Sequence, residues 1–384
     1  MFPSPGAKIL ITGGTGHVGS ALVHHLVRDR GLSPADLRIF YLRGTPTRSL
    51  DDVPGLDLRP GDILDAEAVR EACRGVDLVF HLAASTSFDP GLKARQWQVN
   101  IEGTRNVLEA ASRTSTVRRV CYTSTVNVLS APTPAGSVGG LDDCDPYTHR
   151  DGLHSFRSRE EALDLAEAAR RGDPGWEKRI GIGYFDSKLA AQEIVNDYAE
   201  NRGVDAVSVL PGTMFGPYDA LVGSGIFLLS IYRRKLPGML KGGISALHVQ
   251  DAVEGHLLAM EKGRKGGRYI LTGPAGSHLR FRELAGLIAQ VLRGRFPDRK
   301  IRRRYPVIPT PAARLAASIS EAVARRSGKP CLLSRGLVQA GSKALFYHHE
   351  DAARELGYCP QRSFRLAVED MADYYARMGL FTER

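Results

Sequence analysis

The stretch Lys8-Ile9-Leu10-Ile11-Thr12-Gly13-Gly14-Thr15-Gly16-His17-Val18-Gly19-Ser20 decides the fold. Lys8–Thr12 is an apolar, β-branched run with strand character, and it empties directly into the spaced glycines Gly13, Gly16 and Gly19. Ser20–Arg28 then sets Leu22, Val23, Leu26 and Val27 at helical spacing, and Leu37–Leu42 returns to strand. Glycines that close a strand and open a helix inside a strand–helix–strand unit are a far more specific signal than a glycine run alone. Missing Cβ atoms at Gly13 and Gly16 let the backbone approach a pyrophosphate, and Gly19 lets the helix pack closely on the strand. The helix N-terminus adds free N–H groups and a partial positive charge. Gly13, Thr15, Gly16, His17, Val18 and Gly19 are therefore the expected cradle of a dinucleotide.

The alternation continues down the chain. Asp77–Ala83, Arg119–Thr123 and Ala206–Leu210 repeat the strand signal, with helical stretches at Ile101–Ser112 and Asp186–Glu200 between them. With right-handed crossovers this predicts an α/β fold, a Rossmann-type doubly wound parallel sheet with helices on both faces. After Gly212 the character changes: Gly212–Gly243 is rich in Gly and Pro, Leu247–Lys262 reads as a strand end feeding a helix, and Tyr269–Leu271 as a short strand. Helices are expected near Phe281–Leu292 and at Ser363–Met378. The expected division is 1–211 as the dinucleotide-binding domain with 244–262 returning to it, and 212–243 plus 263–384 as a smaller mixed α/β substrate-binding portion. Segment 141–180 reads as an insertion flanking the active site.

Composition narrows the function classes. A chain of 384 residues, 43% hydrophobic and 24% charged, is ordinary globular material, not a disordered, collagen-like or coiled-coil chain. The net charge of +10 is mostly scattered arginine, and its densest cluster, Arg293, Arg295, Arg299, Lys300, Arg302, Arg303 and Arg304, has no interleaved aromatics and no zinc or helix-turn-helix signature. A solvated basic edge is the reading, with no nucleic-acid partner. The five cysteines, Cys73, Cys121, Cys144, Cys331 and Cys359, lack any C-x-x-C and read as reduced thiols of a cytoplasmic protein. Met1–Gly6 runs straight into a strand without signal-peptide character, and no window is apolar enough to span a bilayer. The histidines show no ligand spacing, so no metal is expected. Ala312–Ala324 is amphipathic; a lid or core helix accounts for it better than membrane contact.

The second strand ends in Phe40-Tyr41-Leu42-Arg43, where an NAD-preferring site carries an Asp or Glu on the ribose hydroxyls. Arg43 suits a 2′-phosphate, and Arg48 in the same loop is placed to join it. NADP(H) is the expected cofactor, with NAD(H) the alternative.

Beside the glycine turn stand Gly61-Asp62-Ile63, Val79-Phe80-His81-Leu82-Ala83-Ala84, Val99-Asn100-Ile101-Glu102-Gly103-Thr104-Arg105-Asn106-Val107 and Tyr184-Phe185-Asp186-Ser187-Lys188. Through them the chain resembles the extended short-chain dehydrogenase/reductase family over nearly its whole length. Leu210–Asp219 and His248–His256 are similar to the dihydroflavonol-reductase-like branch and the hopanoid-associated epimerase-like proteins near it. The resemblance implies that Asp62 and Ile63 hold the adenine, that Leu82, Ala83 and Ala84 line the dinucleotide cleft, and that Asn100 braces the active-site helix. It also implies that Thr123 borders the cofactor and that Pro211, Gly212, Thr213 and Met214 meet the nicotinamide carboxamide.

Tyr184 and Lys188 are one helical turn apart, so both project toward one cleft. A free phenol titrates near pH ~10, and a lysine ammonium plus the charge of an oxidised nicotinamide favour the phenolate. Tyr184 can then give or take a proton as hydride moves, while Lys188 also bonds the nicotinamide ribose. The family pattern favours Thr125 as the hydroxyl that holds the substrate carbonyl, with Ser124 as the alternative.

The expected activity is NADP(H)-dependent interconversion of a carbonyl and an alcohol on a medium-sized, fairly apolar small molecule. A nucleotide-sugar epimerase or dehydratase with retained cofactor is the alternative, set back by the lack of an Asn near Thr213. A non-catalytic dinucleotide sensor is set back by the intact Tyr184 and Lys188. A homodimer is usual for the family. Tyr184 follows Thr125 by 59 positions, more than is usual there; the excess is either a flap over the substrate mouth or a solvated surface insertion.

Overall fold

The computed structural model describes residues 3, 6–149, 151–331 and 333–382. β1 (Ile9–Thr12), β2 (Leu37–Tyr41), β3 (Asp57–Pro60), β4 (Leu78–His81), β5 (Arg119–Thr123), β6 (Ala206–Pro211) and β9 (Arg268–Leu271) form one parallel sheet in the order β3-β2-β1-β4-β5-β6-β9. The order reverses between β1 and β4, and such a switch point opens a crevice at the C-terminal strand ends. There Thr12 pairs with both Phe40 and His81, and Thr123 pairs with Val209, so these ends lie level.

The sheet is buried on both faces because successive residues point to opposite sides. Leu10, Val79, Val120 and Tyr122 face a layer built from α2 (Ala66–Cys73), α3 (Lys93–Arg113) and α5 (Gly183–Asn201). Ile9, Ile11, Phe80, Cys121, Val207 and Val209 face α1 (His17–Arg28) and α7 (Val249–Lys262).

The smaller sheet is organised around β8 (Gly243–His248), which pairs in parallel with β7 (Thr213–Phe215) and β11 (Ala344–Leu345) and antiparallel with β10 (His278–Arg280). α6 (Ile226–Tyr232), α8 (Phe281–Arg295) and α12 (Phe364–Arg377) share a third core with it. The chain also forms α4 (Arg159–Arg171), α9 (Thr310–Ser327), α10 (Arg335–Gly341) and α11 (Glu350–Leu356).

Three placements differ from the sequence reading. β9, set in the smaller portion by the boundary at 263, is an edge strand of the large sheet, because it pairs with β6 and buries Tyr269 and Leu271 in the core shared with α7 and Ile270 in the core on the opposite face. β8, whose residues from 244 were expected to return to the first domain, belongs to the smaller sheet. The amphipathic segment Ala312–Ala324 lies in α9, which is no core helix: Leu315, Ile319 and Val323 are all exposed.

Segment 141–180 is not a solvated appendage over its whole length. In α4, Ser158 caps the first turn by accepting from Glu161 N, Gly172 ends the helix at φ 74°, and Ala162, Leu165 and Ala166 are buried in the layer that holds α5. Trp176 packs on Trp97 of α3 with ring centroids 6.0 Å apart.

Candidate active site

The floor of the crevice is the glycine turn. Gly13 adopts φ +72°, and a Cβ there would stand 2.8 Å from the Cα of Ala83. A Cβ on Gly19 would meet Gly13 O at 2.4 Å, so α1 can seat on the turn only with glycine at that position. Gly16 is the N-cap of α1 and supplies no side-chain cap, and the first turn carries no acidic residue. A backbone hollow that a Cβ would fill, facing an uncapped helix N-terminus, fits the pyrophosphate of a dinucleotide. Thr15 and Val18 are buried here. His17 turns its ring under the loop after β7, beside Asp219 and His248, where burial lowers its pKa; its Nε2 has no hydrogen-bond partner among the described residues.

At the rim, Arg43 is exposed. Arg48, expected to join it, instead donates to Ala220 O at 3.0 Å. Asp62 is a turn carboxylate that accepts from Leu64 N at 2.9 Å and pairs with Arg95 at 2.9 Å. Ile63 is buried against Gly103, where an added Cβ would lie 2.8 Å from it. Leu82 N donates to Thr12 O and Ala83 N to Thr12 Oγ1, which fixes the chain through Ala84 over the glycine turn. Asn100 is spent on two elements at once: its Oδ1 accepts from Ser85 N at 2.7 Å, and its Nδ2 donates to Ser85 O and to Ser187 Oγ of α5 at 3.0 and 2.9 Å.

The side chains that bear protons lie past β5. Tyr184 is half-buried, its ring edge-on to Phe88 at 5.7 Å, and burial raises the phenol while the Thr125 hydroxyl beside it lowers it again. Thr125 caps the short 3-10 turn Val126–Val128 by accepting from Asn127 N at 3.2 Å. Ser124 is also buried, with Oγ unpartnered among the described residues. Lys188 reaches back to β5, donating to Tyr122 OH at 2.6 Å and to Thr123 O at 2.8 Å. Thr123 Oγ1 lies 2.9 Å from His256 Nε2, a ring that burial holds neutral with its pKa lowered to about 4.

Burial pushes the Lys188 ammonium down to about 7 from 10.5. The unfolded chain therefore keeps a proton that the folded chain has lost between these pH values, and stability rises with pH across that window. Melting the apo-protein between pH 7 and pH 10 is expected to show a rise of about 1.4 kcal/mol per pH unit from this group, a slope that the Lys188→Met variant lacks. Equal pH slopes in the two proteins would contradict the burial of that charge.

Two family patterns match the chain: residues 10–147 fit the 3-beta hydroxysteroid dehydrogenase/isomerase family, and residues 181–271 the NAD dependent epimerase/dehydratase family. A Synechocystis protein with the provisional name of a dihydroflavonol 4-reductase is 29% identical over 381 residues, covering 96% of this chain and 94% of its own. The sterol demethylase protein B of Methylococcus capsulatus is 29% identical over 269 residues, 69% of each chain. The crystal structure of gox2253 superposes with a TM-score of 0.71 at 26% identity, over 97% of this chain and 98% of its own. The chain belongs to the extended short-chain dehydrogenase/reductase superfamily. It is an NAD(P)-dependent oxidoreductase.

In this dehydrogenase/reductase three site features escape the sequence reading. Tyr122 holds Lys188 from below, with the ammonium 4.3 Å over its ring centroid. His81 is locked by Thr12 Oγ1 at 2.8 Å and Thr104 Oγ1 at 3.0 Å, and burial with the Lys188 charge beside it lowers its pKa to about 3. Asp186, inside the Tyr-Lys motif, accepts from Ser155 N, Ser155 Oγ and Gly181 N at 2.9, 2.7 and 2.7 Å, clamping the inserted segment to the first turn of α5. His154 then lies against Phe185 at 5.7 Å.

Pro211 ends β6, and Thr213 and Met214 pair with Ala246 and Leu247 of β8. A Cβ on Gly212 would stand 2.4 Å from Ser245 O, so the close approach that requires glycine here is to the smaller sheet's own backbone. Among the described residues no group of His, Cys, Asp and Glu is disposed to hold a metal.

Proposed function

We propose that this oxidoreductase is an NADP(H)-dependent reductase that interconverts a ketone or aldehyde with its alcohol on a medium-sized, apolar small molecule. The observation that carries the reading is the convergence of Tyr184, Thr125 and Lys188 at the C-terminal end of β5, on the rim of the crevice floored by the glycine turn. Gly13, Thr15, Gly16, His17, Val18 and Gly19 would take the pyrophosphate through backbone amides, with Asp62, Ile63, Leu82, Ala83, Ala84, Asn100 and Thr123 along the remaining wall and Pro211, Gly212, Thr213 and Met214 opposite.

A bound nicotinamide supplies or accepts the hydride. The protein's part is the proton and the positioning. The Thr125 hydroxyl orients the substrate oxygen, and Tyr184 donates its phenolic proton to that oxygen as negative charge develops there. Lys188, positive when protonated, stabilises the phenolate left behind. Tyr122 OH and Thr123 O act as positioning groups for Lys188. Ser124, equally close in sequence, is the second candidate for the substrate oxygen, supported by its unpartnered hydroxyl. The apolar character of the substrate is supported by Phe88 and Phe185 packed around Tyr184. Five free cysteines support a reducing, cytoplasmic location.

Preference for the 2′-phosphate rests on Arg43, which projects from the end of β2 and has no carboxylate partner among the described residues. Titrating NADPH and NADH by fluorescence tests it. Arg43→Asp is expected to weaken NADPH by on the order of tenfold or more, the cost of about one charge-assisted phosphate contact, and to leave NADH nearly unchanged. An unaltered NADPH/NADH ratio would remove the preference from Arg43.

A further inference from the structure

The redox reading leaves α9 without a task. Its inner face is thin: Ala313, Ala317 and Glu321 are buried, and the two alanines share a small cluster with Val338 of α10. On the outside Leu315, Ile319 and Val323 are 65%, 57% and 59% exposed. Spaced four apart, they lie along one face of the helix, with exposed Ala312, Ala316 and Ala322 around them. Single exposed aliphatics are ordinary, but a continuous stripe marks a surface that something covers.

Charge identifies the cover. Arg314, Arg325 and Arg326 on the helix and Lys329 just beyond it are exposed, as are Arg303 and Arg304 in the chain leading in. The sole carboxylate between 310 and 329 is Glu321, and it is consumed inside, accepting from Arg335 N at 2.7 Å and Arg335 Nε at 2.9 Å, with Arg325 at 4.0 Å. Arg325 continues the line of Glu321, so the outer face of α9 and its flanks present Leu315, Ile319 and Val323 with Arg314, Arg326 and Lys329, and no acid among them.

We propose that α9 is an interfacial helix that docks the protein on an anionic phospholipid surface. Leu315, Ile319 and Val323 enter the boundary between headgroups and acyl chains, and the arginines pair with lipid phosphates. A second copy of this chain is the poorer occupant, because two such faces would oppose arginine to arginine on a protein already carrying +10. Attachment is peripheral, since no helix of the described residues is long and apolar enough to cross a membrane.

The position suits a substrate drawn from lipid. The chain leaving α9 is tied through Cys331 N to Asp89 Oδ2 at 3.1 Å, and the neighbouring Phe88 packs on Tyr184. Gly336 of α10 sits so close to Ile182, just before α5, that a Cβ would lie 3.3 Å away. Docking thus sets the bilayer beside the mouth of the crevice, and an apolar carbonyl compound dissolved in it is the matching substrate class; this last step rests on the reading of Tyr184 as proton donor.

Vesicle co-sedimentation of the full chain tests the docking, using phosphatidylcholine alone against phosphatidylcholine mixed with phosphatidylglycerol. Wild type is expected to partition onto the anionic vesicles on the order of tenfold more strongly than onto the neutral ones. Leu315→Ser/Ile319→Ser/Val323→Ser and Arg314→Gln/Arg326→Gln/Lys329→Gln are each expected to abolish that gain, with melting temperature and NADPH affinity unchanged. Wild type that stays in the supernatant, or an aliphatic triple variant that binds as wild type does, overturns the proposal. So does a wild-type dimer in sedimentation velocity that the same triple variant splits while neither binds vesicles. No readout uses turnover, so failure here leaves the redox reading standing, and failure of that reading leaves vesicle binding untouched.

Discussion

With saturating NADPH and a carbonyl substrate, Tyr184→Phe is expected to turn over on the order of 10²–10⁴-fold more slowly than wild type while binding the dinucleotide normally. The ring stays: Phe88 and Phe185 still have an edge to pack against, so the fold and the shape of the mouth survive. What goes is the hydroxyl, the group that the Thr125 side chain addresses and that burial keeps protonated until charge appears on the substrate oxygen. The loss should fall on kcat rather than on cofactor affinity, because the phenol's contribution is greatest when negative charge has developed. If instead the variant kept wild-type turnover, water or another side chain would have to supply the proton.

Gly19→Ala is expected to be the most damaging small substitution in the dinucleotide crevice. The new methyl would stand 2.4 Å from Gly13 O and 2.5 Å from Gly14 Cα. Both are backbone atoms, so no side-chain rotation relieves the overlap; α1 must move away from the turn, straining its packing against Ile9, Ile11 and α7. Overpacking of this kind costs about 1–3 kcal/mol. The same shift carries the α1 amides off their anion, and NADPH affinity should fall by on the order of ten- to a hundredfold. Gly286→Ala in α8 is the control, since nothing lies within 4 Å of its added Cβ; in a helix interior it should be neutral or stabilise by about 0.5–1 kcal/mol. Thermal melts and NADPH fluorescence titrations read both, and a Gly19→Ala protein as stable and as tightly binding as wild type would mean that α1 does not seat on the turn as described.

The legibility of these features followed burial. β1, β4, β5 and β6 are covered on both faces, so they stand out as apolar runs, and the glycine turn is written in consecutive residues. β3 escaped because it is an edge strand, Asp-Leu-Arg-Pro, with most of its residues exposed and no alternation to read. β7, β10 and β11 are two or three residues long and exist only by pairing with β8, partners far away in sequence.

The site divides in the same way. Tyr184 and Lys188 are recognisable from their spacing, whereas Tyr122 looks like any strand aromatic until α5 brings Lys188 onto it. Asp186 acquires its partners only when the inserted segment folds back to deliver Ser155 and Gly181. The bond from Arg48 to Ala220 O escapes a local reading because the two residues lie 172 positions apart. For α9 the amphipathic pattern marked two faces without showing which one the protein covers, and only the buried Ala313, Ala317 and Glu321 reveal that the aliphatic stripe is the outer one.

The proposed reaction delivers hydride to a substrate carbon while Tyr184 protonates the adjoining oxygen. Supplying NADPH deuterated at the nicotinamide C4 with a panel of apolar ketones and aldehydes, and reading the products by mass spectrometry, follows that hydride directly. Deuterium from one of the two faces of C4, on the new carbinol carbon, with one dinucleotide oxidised per alcohol formed, is the expected result. Product that forms without label, or a dinucleotide that is never consumed while substrate is converted, would contradict it and point to chemistry in which the hydride returns to the molecule it left.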